Sequence, residues 1–125
     1  MGPERIEQIK VVNWVKQCTD MLIVYIANEG KRTVIGGAIM KKMGLCPGAC
    51  DLFLPRASRG YHGLWLEMKA RSGKLTPKQI QFMCDIIDEG YYAVAVWNAE
   101  AAIEIIKTFY DSTASDSQLR SLPVR

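Results

Sequence analysis

Apolar and polar positions alternate along this chain with two distinct periods, and the switches between them mark its elements. Val11, Trp14, Val15 and Cys18 follow three- and four-residue spacing, which predicts an amphipathic helix over Glu4 to Cys18. Met21 to Ala27 is apolar and rich in β-branched residues, the pattern of a buried strand. A polar loop follows from Asn28 to Thr33, and Thr33 is placed to cap a helix running to about Met43, closed by Gly44. Leu52-Phe53-Leu54 and Leu64-Trp65-Leu66-Glu67-Met68 read as two strands of a hairpin joined by the basic loop Pro55 to Gly63. Thr76-Pro77 supplies an N-cap and a first helical residue for a helix to about Glu89, stopped by Gly90. Tyr91 to Trp97 is a further strand and Ala99 to Tyr110 a closing helix. The order αβαββαβα predicts an α/β fold, with helices flanking a central mixed β-sheet. Residues 1–110 form one domain in this reading, and the polar, serine-rich segment 111–125 is expected to be a flexible tail.

A length of 125 residues suits one domain able to bury its own core. The longest apolar run, Met21 to Ala27, is far short of the ~20 residues a membrane span needs. No apolar run behind the N-terminal Met-Gly-Pro-Glu-Arg suits a signal peptide, so the cytoplasm is the expected location. Cys18, Cys46, Cys50 and Cys84 are scattered and expected to be reduced thiols. Cys46 and Cys50 do not imply zinc, because no second Cys/His pair completes a tetrahedral site and the only histidine is His62. Trp14, Trp65 and Trp97 all fall on regular elements and are expected in core packing.

Charge sharpens the picture. The net charge of +3 conceals a basic middle: residues 28–78 hold ten Lys/Arg against three acids, whereas 79–125 hold three bases and seven acids. Two of the three acids in the basic segment, Asp51 and Glu67, belong to the hairpin. Pairing Leu54 with Leu64 in antiparallel register places Asp51 opposite Glu67. Residues two apart on a strand share a face, so Lys69 joins them there while Leu66 and Met68 point away. Two carboxylates suit a hard divalent cation, with water activated beside it, and the Met68 carbonyl can add a neutral oxygen. Lys69 is expected to orient the attacking water or stabilise charge on the phosphorane. Acids set in a basic surround fit the binding and cutting of a polyanion. Glu7 on the first helix is a candidate to reach the site from the side, with Glu4 as its fallback. Gln79, Lys31 and Arg32 are candidate phosphate or water contacts. Gly30-Lys31 and Gly73-Lys74 lack the spacing of a nucleotide-binding loop, so no nucleotide cofactor is expected.

Together these residues resemble the PD-(D/E)XK nuclease superfamily, and within it the small stand-alone members of the VRR-NUC (virus-type replication-repair nuclease) family found in phages and bacteria. Ile26-Ala27-Asn28-Glu29-Gly30-Lys31-Arg32 is similar to the family's Ile-Pro-Asn-Gly-Gly-x-Arg loop. Gly60-Tyr61-His62-Gly63-Leu64-Trp65-Leu66-Glu67-Met68-Lys69 is similar to its catalytic strand, and Gly73-Lys74-Leu75-Thr76-Pro77-x-Gln79 to the segment beyond it. Cys50 stands before Asp51 where the superfamily usually has proline, but no metal ligand is lost. The resemblance implies a restriction-endonuclease-like fold and Mg²⁺- or Mn²⁺-dependent cleavage of DNA. Asp51 and Glu67, with the Met68 backbone carbonyl, would bind metal; Glu7, Lys69 and Gln79 would assist. Asn28, Lys31, Arg32, Arg56, Arg59 and Lys74 would contact DNA. It further implies a homodimer acting on branched DNA, four-way junctions above all, in a bacterial or phage-infected cell. Two alternatives stand beside it, a sequence- or modification-specific endonuclease and a catalytically inactive DNA-binding module.

Overall fold

A computed structural model describes residues 2–27 and 34–125 of the chain. Its elements are α1 (Pro3–Cys18), β1 (Val24–Tyr25), α2 (Val34–Lys42), β2 (Leu52–Leu54), β3 (Leu64–Met68), α3 (Pro77–Asp88), β4 (Tyr92–Val96), α4 (Ala99–Phe109) and α5 (Asp116–Ser121). The sheet has the strand order β1-β2-β3-β4. β2 pairs antiparallel with both β1 and β3, and β3 pairs parallel with β4 through the α3 crossover. The sheet is therefore mixed, as expected. The hairpin register is also the expected one, with Leu54 opposite Leu64 and Leu52 opposite Leu66.

Alternation on β3 divides the sheet into two faces. Leu64, Leu66 and Met68 are buried with Leu52, Leu54 and Val96 on the face covered by α1 and α4, where Val11, Val15, Ile105, Ile106 and Phe109 complete the core. Trp65 and Glu67 lie on the other face. There Trp65 stacks on Phe53 with ring centroids 4.4 Å apart and meets Phe82 of α3 edge-on at 5.3 Å. The four cysteines are free thiols, and only Cys50 is buried.

Two expectations are corrected. The strand expected over Met21 to Ala27 is reduced to Val24 and Tyr25, because its partner β2 offers three residues of ladder; one further bond, Ile26 N–H to the Asp51 carbonyl at 2.8 Å, extends the pairing. The segment 111–125 is folded rather than a loose tail. Ser115 and Gln118 form a capping box that starts α5. Leu119 is buried against the core, and Trp97 N–H donates to the Val124 carbonyl at 2.8 Å.

Gly48 locks the approach to β2 against α3. Its φ is +88°, and a Cβ there would drive into the Lys78 carbonyl and come within 2.9 Å of the Gln79 nitrogen. Gly48→Ala is expected to destabilise the protein by about 2 kcal/mol or more, since left-handed φ alone costs an L-residue roughly 1–2 kcal/mol and backbone must also move. A denaturant melt checks this.

Candidate active site

Three local decisions assemble the site at one end of the sheet. The β2–β3 register brings Asp51 and Glu67 together just where the ladder opens. Asp51 Oδ2 accepts a hydrogen bond from Met68 N–H at 2.8 Å, which pins the carboxylate across the strand end. A strand residue's N–H and C=O point to the same side, so the Met68 carbonyl faces that side too. Both acids are buried, Asp51 at 5% and Glu67 at 2% exposure. Glu67 Oε1 has no hydrogen-bond partner among the described residues, a costly state for a buried oxygen.

Burial raises the Glu67 carboxyl far above its ordinary range, to about 9, helped by its hydrogen bond to Asp51 and the Asp51 charge and opposed by Lys69. An all-oxygen set of two carboxylates and a carbonyl fits a hard divalent ion, which takes oxygen ligands and keeps several waters. No group of three or more His, Cys, Asp or Glu side chains suited to a metal exists among the described residues, so water would have to complete the shell. Cys50 does not compete: burial, reinforced by both acids, pushes its thiol strongly upward.

The third decision is the capping box of α3. Gln79 N–H donates to Thr76 Oγ1 at 3.2 Å and Thr76 N–H donates to Gln79 Oε1 at 2.9 Å. The same Gln79 Oε1 accepts from Lys69 Nζ at 3.1 Å. One amide oxygen thus caps the helix and holds the lysine. Gln79→Ala is expected to destabilise the fold by about 1 kcal/mol through the lost cap and to slow cleavage about tenfold by freeing Lys69. Restoring Lys69 geometry with Gln79→Glu should recover part of the rate, which a single-turnover assay would measure.

Asp51, Glu67, Thr76 and Gln79 line a cavity of about 360 Å³, together with Lys41 of α2 and Lys78 of α3. Neither lysine stands out in sequence, although both belong to the basic middle segment; Lys78 sits one residue before the capping glutamine. The other expected contacts distribute unevenly. Lys74 is exposed in the loop from β3 to α3, at the site's end of the sheet. Arg56 and Arg59 are at the opposite end, because the hairpin loop leaves β2 a strand's length from Asp51. Arg56 pairs with Asp20 at 2.9 Å. The Arg59 guanidinium is nearly buried and bonds the carbonyls of Thr108, Asp111 and Ala114 and the Asp116 carboxylate. It ties the loop to the end of α4 and to α5, which commits its hydrogen bonds within the fold. Asn28, Lys31 and Arg32 lie outside the described residues.

The first-helix acid divides in two. Glu7 bonds Lys10 at 2.8 Å and accepts from Ala99 N–H at 3.2 Å, which holds its carboxyl below the usual range. It lines a neighbouring cavity together with Lys69. Glu4, one turn earlier, is the acid of α1 whose charge acts on Glu67.

Comparison with solved structures supports the fold. A solved structure described as "VRR_NUC domain protein" superimposes with a TM-score of 0.74 at 27% identity, over 88% of this chain and 89% of that one. No family model matches the chain, and no curated protein matches it either.

Proposed function

We propose that the chain is a VRR-NUC domain of the PD-(D/E)XK nuclease superfamily, a reading supported by its likeness to a solved VRR_NUC domain protein, and that it is a Mg²⁺- or Mn²⁺-dependent endonuclease selective for branched DNA. The observation that carries the reading is the buried pair Asp51 and Glu67, with an orphaned Glu67 oxygen, beside Lys69 in a lysine-rimmed cavity. A binder without catalysis has no use for two buried acids in a basic surround, since unpaired buried charge is expensive.

Asp51, Glu67 and the Met68 carbonyl would hold the ion, which when bound supplies positive charge that polarises the phosphodiester and acidifies water. The protein's own groups do the rest. Met68 N–H fixes Asp51. Gln79 holds Lys69 where its ammonium can orient the nucleophile and neutralise charge on the phosphorane. Lys41 and Lys78 draw the phosphate backbone to the cavity mouth. These groups recognise phosphate and shape rather than base sequence. A homodimer would set two sites about a two-fold axis, matching the near two-fold symmetry of a four-way junction.

The test is a labelled immobile four-way junction and a matched duplex, each incubated with the protein in Mg²⁺, Mn²⁺ or EDTA. Paired symmetric nicks on the junction, lost in EDTA and weak on duplex, are the expected result. Equal cutting of both substrates would remove the junction preference. Binding without cleavage under every condition would leave a DNA-binding module. The mass in solution, by sedimentation, reports the dimer.

A further inference from the structure

A second cavity, of about 520 Å³, opens beside the acid site and is lined by Pro3, Glu7, Lys69, Arg71, Trp97 and Arg125 among others. It is within the range of ligand sites and larger than the acid cavity. Lys69 joins the two: its side chain lines this cavity, while its Nζ is bonded to Gln79 of the other. Through Lys69 this cavity adjoins the place where a scissile phosphate at the acids would lie.

The lining combines charge with planes. Among the lining side chains, Lys69, Arg71 and Arg125 oppose one carboxylate, Glu7, which already bonds Lys10 and Ala99 N–H. Trp97, expected as core packing, instead forms a half-buried wall of the cavity. Its indole is fixed by an Nε1–H bond to the Gly73 carbonyl at 2.8 Å, and the Arg125 guanidinium lies 4.3 Å from its ring centroid. Nucleobases stack on indole and guanidinium planes alike. A base inside a duplex is already stacked on both sides, so only an unpaired nucleotide can use this wall.

We propose that this cavity receives an unpaired nucleotide adjoining the scissile phosphate, its base extending the Trp97–Arg125 stack and its phosphate met by Lys69 and Arg71. The inference rests on the nuclease reading above and gives a physical source for selectivity: branch points and frayed ends present unpaired nucleotides without the cost of opening a duplex.

The test uses the full chain carrying Asp51→Asn, so that substrates persist, and fluorescence anisotropy on a four-way junction and a splayed duplex. An abasic site is moved through each position around the branch. One position beside the cleavage site is expected to weaken binding about tenfold. Arg71→Ala with Arg125→Ala should weaken the intact substrate similarly, lower the salt slope by about one and erase the abasic penalty. A flat abasic scan, or a double variant that binds like its parent, overturns the proposal. If the unmodified protein still cuts DNA while the scan is flat, only this inference falls. If it neither binds nor cuts any DNA, the nuclease reading falls and takes this with it.

Discussion

Asp51→Asn is expected to lower cleavage by about 10³-fold or more while leaving DNA binding intact or tighter. The asparagine oxygen can still accept from Met68 N–H, so the strand end keeps its geometry and only the charge is lost. Loss of a charged metal ligand removes several kcal/mol of transition-state stabilisation, and each ~1.4 kcal/mol is tenfold in rate. Binding survives because the cavity loses a negative charge while Lys41 and Lys78 remain. Single-turnover cleavage and anisotropy, measured side by side, decide the matter. A variant that still cuts at a tenth of the normal rate would place the chemistry elsewhere.

Glu67→Gln is expected to abolish cleavage equally and to stabilise the metal-free protein at alkaline pH. The sign follows from the raised carboxyl. Unfolded, Glu67 loses its proton near 4.5; folded, it keeps the proton until about 9. Between those values the folded state binds more protons than the unfolded one. Stability of the metal-free protein therefore falls as pH rises, by up to about 1.4 kcal/mol per unit for one proton. Glutamine mimics the neutral acid and removes that slope. Thermal melts in EDTA from pH 5 to 9 should show a declining Tm for the wild type and a flatter line for the variant. Divalent metal should reverse the decline, and its affinity should climb over the same window as the proton is displaced. Parallel Tm profiles for the two proteins would show that Glu67 is not the group held protonated.

The centre of the site was legible in the residues because it depends on local rules alone. Period-two alternation sets which side chains share a face, and an antiparallel register, once Leu54 meets Leu64, leaves no freedom in placing Asp51 against Glu67. The same hairpin geometry carries Arg56 and Arg59 away from the acids, since a strand that starts at Asp51 must deliver its loop at the far end. Charge composition cannot express that distance. The order Thr76-Pro77-x-Gln79 announced a helix start, but only folding revealed that the capping oxygen also holds Lys69. The C-terminal segment carried its own signals in Ser115-x-x-Gln118 and in Leu119, Leu122 and Val124, which polar composition obscured.

What the chain determined by itself was element order as far as α4, the mixed α/β class and the acid-acid-lysine constellation, because each follows from spacing within a few residues or one hairpin. Tertiary packing fixed the partners of Glu7, which the helical spacing of α1 does not show: the docking of α4's first turn brings Ala99 N–H to its carboxylate. It also turned Trp97 into a cavity wall and made Arg59 a clasp, since both roles depend on the C-terminal segment folding back across the body. Contacts between residues 57 positions apart, such as Arg59 with Asp116, arise from how layers stack, and no local period encodes that.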